Sequence, residues 1–155
     1  MRRKDRQRDE AFCLDLIDAA THGVMALTTG EDVPYCLPLS FARRDRALYF
    51  HCAKSGRKTD LLREHPKVCV TFVGRDDPAY HDGDYTTFFA SAIVTGTCVE
   101  VTEDAEKIEA LRLLCQKLLP EYMGGDRFEQ AVAGSLPVTA VWKIRMEEVT
   151  GKAKG

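Results

Sequence analysis

Leu48–Pro66, LYFHCAKSGRKTDLLREHP, decides the reading of this chain. The apolar run from Leu48 to Cys52 reads as a strand, followed by a short turn. A helix then runs from about Gly56, with Ser55 as its N-cap and Pro66 ending it. A helix start carries partial positive charge and free backbone N–H groups, so its first turn ordinarily takes acids. Here Lys54, Arg57 and Lys58 crowd that end instead. Cations there repel the helix dipole unless an anion lies among them. N–H groups together with two or three cations make a phosphate-sized site. A solvated basic helix start is the other reading of the same residues.

Length and composition bound the rest. A chain of 155 residues suits one domain with a real core, and 45% hydrophobic with 30% charged residues is ordinary for a globular protein. A net charge of −2 gives no electrostatic case for nucleic acid. No apolar run is long enough to span a membrane. The start, MRRKDRQR, has no apolar segment behind it and does not read as a secretory signal. Residues 1–10 are expected to form a flexible arm and residues 11–155 a single domain. Cys13, Cys36, Cys52, Cys69, Cys98 and Cys115 form no CxxC pair, and most lie in apolar patterns. They read as reduced thiols of a cytoplasmic protein, not as a zinc ribbon or disulfide framework.

Residues 10–21 show a helical face of Phe12, Leu16 and Ala20, flanked by Cys13 and Ile17. GVMALTT from Gly23 is a strand, and Gly30-Glu31-Asp32 a turn. Pro34 to Arg43 alternates, with Tyr35, Leu37, Leu39 and Phe41 on one face and the smaller Cys36, Pro38, Ser40 and Ala42 on the other. Arg43 to Arg46 turns the chain into the strand before the basic turn. Lys67 to Gly74 is a strand, Arg75 to Asp84 a polar loop, and Tyr85 to Val101 a long strand with a bulge or bend at Gly96. A helix capped by Thr102 covers Glu103 to Leu119, with a stripe of Ile108, Leu111, Cys115 and Leu118. A short helix near Arg127 to Ala133 precedes the last strand, Leu136 to Val149. Six strands joined mainly by tight turns point to a mainly β, α+β antiparallel barrel.

PYCLPLSF, then LYFHCAKSGRKTDLLREHPKVCVTFVG, SAIVTGTCVEV and VWKIRMEEVTGKAKG together resemble the flavin-binding split barrels. The pyridoxamine 5'-phosphate oxidase-related branch that includes the Nim nitroimidazole-resistance proteins looks most similar. The resemblance covers residues 11–155. Its most specific parts are the H-x-A-x-x-G-[RK]-K turn at His51, Ala53, Gly56, Arg57 and Lys58, and TGK at Thr150, Gly151 and Lys152.

The resemblance implies a homodimer of six-stranded Greek-key split barrels with FMN at each of two subunit interfaces. It implies that Arg57 and Lys58 grip the FMN phosphate, in agreement with the helix-terminus argument. Pro38, Leu39 and Ser40 would run along the isoalloxazine ring. His51 and Cys52 would sit by the ribityl chain and ring, and Ser91 would come from the partner's strand. Trp142 either walls the site or packs in the core. His51 is the candidate acid–base group, since histidine titrates near neutrality; otherwise it only hydrogen-bonds the flavin or a carbonyl. The sequence ends at Gly155, without the basic C-terminal element of the true oxidases, so pyridoxamine 5'-phosphate oxidase activity is not expected. The expectation is an FMN-dependent oxidoreductase acting on small electrophiles, nitroaromatics included, with no metal. The alternatives are a flavin carrier without catalysis, or a split barrel holding haem or a deazaflavin.

Overall fold

The single strand expected through Pro34–Arg43 is split at Ser40–Phe41, and that break organises the sheet. The computed structural model describes residues 2–155. In it β1 is Gln7–Arg8, β2 Gly23–Leu27, β3 Tyr35–Leu39, β4 Ala42–Arg44, β5 Ala47–Ala53, β6 Lys67–His81, β7 Asp84–Glu100 and β8 Thr139–Lys154. All neighbours pair antiparallel, in the order β3-β2-β6-β7-β8-β5-β4, with β1 on β8. β3 and β4 are consecutive in the chain yet form opposite edges. Three peptide bonds reach at most about 11 Å, so the sheet curls until its edges nearly meet. No ladder joins those edges, and the result is a split barrel that is not closed. It has eight strands where six were expected. The added ones are β4, cut from the long alternating run, and β1.

Phe41 turns inward at the break. It is 1% exposed, and its ring meets Phe50 and Phe72 edge-on at centroid distances of 5.6 Å each. Met25, Val70, Val94, Trp142 and Ile144 fill the interior around it. A smaller cluster lies outside the barrel. There Tyr49 and Val141 pack on α3 (Asp104–Leu118) and α4 (Arg127–Ser135) through Ala110, Leu111, Phe128 and Val132. Alternation along β5 serves both clusters: Leu48 and Phe50 face the barrel, and Tyr49 faces the helices.

Several boundaries differ from the sequence reading. Part of the expected arm is structured. Lys4–Arg6 form a 3-10 turn, β1 pairs with Gly151 and Lys152, and Asp9 caps α1 (Glu10–Ala19) by accepting from the Phe12 N–H at 2.9 Å. β5 pairs with β8 only as far as Arg145, which leaves the later edge of β8 free for β1. The polar loop expected over Arg75–Asp84 is instead the outer part of a hairpin. β6 and β7 stay paired past a bulge at Gly74, out to a two-residue turn with positive φ at Asp82 (51°) and Gly83 (78°). The bulge at Gly96 is present, with Glu147 as the extra residue on the facing strand β8. α3 begins after Glu103 without a side-chain cap, so Thr102 does not cap it. Its buried residues are Ala110, Leu111 and Leu114. β8 starts at Thr139, after a 3-10 turn at Leu136–Val138. Among the described residues no helix is long and apolar enough to cross a membrane.

Candidate functional site

β5 leads directly into α2 (Arg57–Glu64), and the junction is a small cradle. Gly56, not Ser55, takes the N-cap position, at φ 133° and ψ 167°. No side chain caps the first turn, so the leading N–H groups of α2 are free. Thr59 is buried, and its hydroxyl donates to the Gly56 carbonyl at 2.7 Å, fixing the turn from below. A cavity of about 200 Å³ opens here, lined by Cys52, Ser55, Gly56, Arg57 and Lys58, with Tyr35 and Leu37 from β3 opposite. The Arg57 guanidinium lies 5.0 Å from the centre of the Tyr35 ring, and the Lys58 ammonium 5.9 Å from that of Phe50. Among the described residues neither cation pairs with a carboxylate. Free N–H groups, two cations without a carboxylate partner and no acid in the cavity lining suit a phosphate dianion.

The expected site residues divide into groups. Cys52, Arg57 and Lys58 come together at the cradle. Pro38 and Leu39 end edge strand β3 and Ser40 follows it, with Pro38 and Ser40 exposed and Leu39 half-buried against the core. Ser91 is half-buried, opposite Val73 on the outer face of β7, and does not line this cavity. Trp142 is 2% exposed and belongs to the core; its indole N–H has no partner. His51 does not line this cradle, because adjacent strand residues point to opposite faces. Cys52 lines the cradle, whereas His51 lines a separate apolar cavity with Leu111, Leu114 and Cys115 of α3. Tyr35, Leu37 and Thr59 were not singled out from sequence. The alternation of β3 put Tyr35 and Leu37 on one face, and nothing in it showed that this face meets the cradle.

Electrostatics follow the same geometry. Burial pushes the Cys52 thiol up, with the Lys58 ammonium pulling the other way, so the thiol is protonated at neutral pH. Burial first, and the Lys58 charge second, lower the His51 pKa, so the imidazole is neutral at pH 7. Among the described residues no cluster of histidine, cysteine and carboxylate side chains is placed to hold a metal ion.

The fold is shared with solved structures. A candidate 5-nitroimidazole antibiotic resistance protein from Bacteroides thetaiotaomicron superposes with a TM-score of 0.81 at 23% identity, over 94% of this chain and 84% of that one. The flavocytochrome Anf3 from Azotobacter vinelandii gives 0.82 at 24% identity, over 100% of this chain and 72% of that one. A FAD- and haem-binding protein from Mycobacterium smegmatis gives 0.80 at 21% identity, over 97% and 74%. No curated protein matches the chain. The family profile described as pyridoxamine 5'-phosphate oxidase matches residues 9–153, from the cap of α1 to the end of β8. By that match over nearly its whole length, the chain belongs to the pyridoxamine 5'-phosphate oxidase family.

Proposed function

We propose that this protein is an FMN-dependent oxidoreductase that reduces small flat electrophiles, nitroaromatics among them, as a homodimer. The carrying observation is the uncapped start of α2 with unpaired Arg57 and Lys58. When bound, FMN supplies the hydride and electron chemistry. Arg57, Lys58 and the first N–H groups of α2 hold its phosphate. The exposed edge of β3 at Pro38–Ser40 offers unpaired backbone groups to the polar rim of a flat ring. Flavin binding by flavocytochrome Anf3 and by the Mycobacterium smegmatis protein supports a flavin as the ligand. His51 faces α3, so in this reading the proton for reduction comes from solvent or substrate.

The cradle holds about 200 Å³, below the roughly 300–1,000 Å³ of whole-ligand pockets. It takes the phosphate end, and the remainder needs a second wall. Val24, Val73 and Ile93 are 43%, 60% and 40% exposed on the outer sheet face, which favours cover by a second copy of the chain. Ser91 lies on that same face, across from Val73, and would approach the partner's flavin.

The test is a titration of FMN, with riboflavin as the phosphate-free control, against wild type and Arg57→Ala/Lys58→Ala. Each charged hydrogen bond contributes about 1.5–3 kcal/mol, so the double variant is expected to weaken FMN roughly 10²–10⁴-fold. Riboflavin affinity should not change. Equal weakening of both ligands, or no flavin binding by the wild type, refutes the site. Bound FMN without oxidation of any donor supports the carrier alternative, and a Soret band on adding haem supports a haem protein.

A further inference from the structure

Lys117, on the last turn of α3, reaches into the place where the barrel is split. Its ammonium donates to the Ile17 carbonyl and to the Phe41 carbonyl, both at 2.9 Å. These acceptors come from two distant segments. Ile17 lies in the last turn of α1, whose carbonyls an α-helix leaves without intrahelical donors. Phe41 lies in the step between β3 and β4, outside either ladder. A cation on the last carbonyls of α1 also suits that helix's dipole. Beside it Arg43 of β4 pairs with Asp18 of α1, with Nε to Oδ1 at 2.9 Å. Three elements are thereby tied around one peptide, and Lys117 is half-buried.

Phe41 directly follows Ser40, and Pro38–Ser40 is the segment proposed to carry the flavin ring. We infer that Lys117 is a positioning residue for the cofactor: by holding the Phe41 carbonyl it fixes the exit of β3 and pre-sets the backbone that meets the ring. The inference rests on the flavin reading given above. The Phe41 side chain anchors the step from inside the barrel through Phe50 and Phe72. A ring anchor leaves rotation of the adjoining peptide free, and a bond to the carbonyl stops it. A flat ring read by the Pro38–Ser40 backbone needs the chain just beyond that segment set before binding, because ordering it afterwards subtracts from affinity.

The experiment compares wild type, Lys117→Met and Lys117→Arg. Methionine keeps the stem and removes the donors; arginine restores donors. Amide hydrogen exchange of Leu39–Ala42 is measured without ligand, and FMN and inorganic phosphate are titrated well below the melting temperature. Lys117→Met should speed exchange at Leu39–Ala42, weaken FMN at least about fivefold, alter the visible spectrum of bound FMN and leave phosphate affinity unchanged. Lys117→Arg should recover most of the FMN affinity. Wild-type exchange or wild-type FMN affinity and spectrum in folded Lys117→Met overturns the inference, since a merely structural lysine lowers the melting temperature alone. If wild type binds no FMN, the flavin reading fails and the ring-positioning role falls with it. The exchange data then still decide whether Lys117 pins the step.

Discussion

Gly56→Ala isolates the backbone of the cradle from its charges. Gly56 sits at φ 133°, where a Cβ is strained, yet a Cβ built there meets nothing within 4 Å. The cost is therefore conformational, about 1–3 kcal/mol for a residue held in that region. The chain has two responses. If alanine stays at positive φ, stability falls by that amount. If it relaxes to negative φ, the peptide joining Ser55 to Gly56 turns and its N–H leaves the cradle. Losing one charged hydrogen bond of about 1.5–3 kcal/mol weakens FMN roughly 10–150-fold. Urea unfolding of the ligand-free protein and an FMN titration separate the two. Gly124→Ala is the control, because its Cβ also meets nothing and its φ is not positive. A Gly56→Ala protein with wild-type unfolding midpoint and wild-type FMN affinity would refute the cradle geometry.

Other expectations follow from the packing and charge. Phe41→Ala should lose about 3–5 kcal/mol by urea unfolding, since the ring is fully buried between two others. Gly96→Ala should destabilise strongly, because a Cβ there overlaps the Arg145 carbonyl oxygen; unfolding at the wild-type midpoint would show that the β7–β8 approach is looser than described. Val73→Asp or Ile93→Asp should turn a dimer into a monomer by light scattering and cost FMN affinity with it. Glu106 accepts from Lys143 and from the Tyr49 hydroxyl, and the Lys143 bond first lowers its pKa from 4.5. A folded pKa below the unfolded value means stability that is present above about pH 4.5 and lost as pH falls through the folded value. Glu106 is partly exposed, so the effect is under about 1 kcal/mol; Glu106→Gln should flatten the acid limb of a stability–pH curve. Burial, then Glu106, push Tyr49 up to about 12, so its contribution is lost only above pH 10. The curve of Tyr49→Phe should lack that alkaline loss.

Local chemistry was legible where neighbouring residues decide it. The strand, turn and helix around Gly56 follow from periodicity and from Pro66, and the cations crowding the helix start are what point to the proposed anion site. The hairpin at Asp82-Gly83 was also written in the chain, as an aspartate–glycine pair between alternating runs. The surrounding charges masked it as a loop. What sequence cannot carry is the face a residue meets after the sheet curls. The split at Ser40–Phe41 interrupts no alternation, so one long strand and two short ones look alike. His51 and Cys52 share a motif yet face opposite sides of β5, because the motif records chain order and the pleat decides direction. Lys117 reads as an ordinary surface lysine of α3. Its acceptors come from residues 76 and 100 positions away.

The outer hairpin of β6 and β7 bears on solubility. From Arg75 to Phe88 neither strand has a further neighbour, so the ribbon has two open rims of hydrogen-bonding groups. Such rims recruit stray strands and seed aggregates. On β6 the rim carries Asp76, Asp77 and then Pro78, whose ring removes an N–H from the row. Like charges repel an incoming copy, and the missing donor spoils its register. The ribbon can thus stand clear of the barrel without polymerising. Neutral, β-branched replacements at those positions would leave the fold intact and make the protein sticky at high concentration.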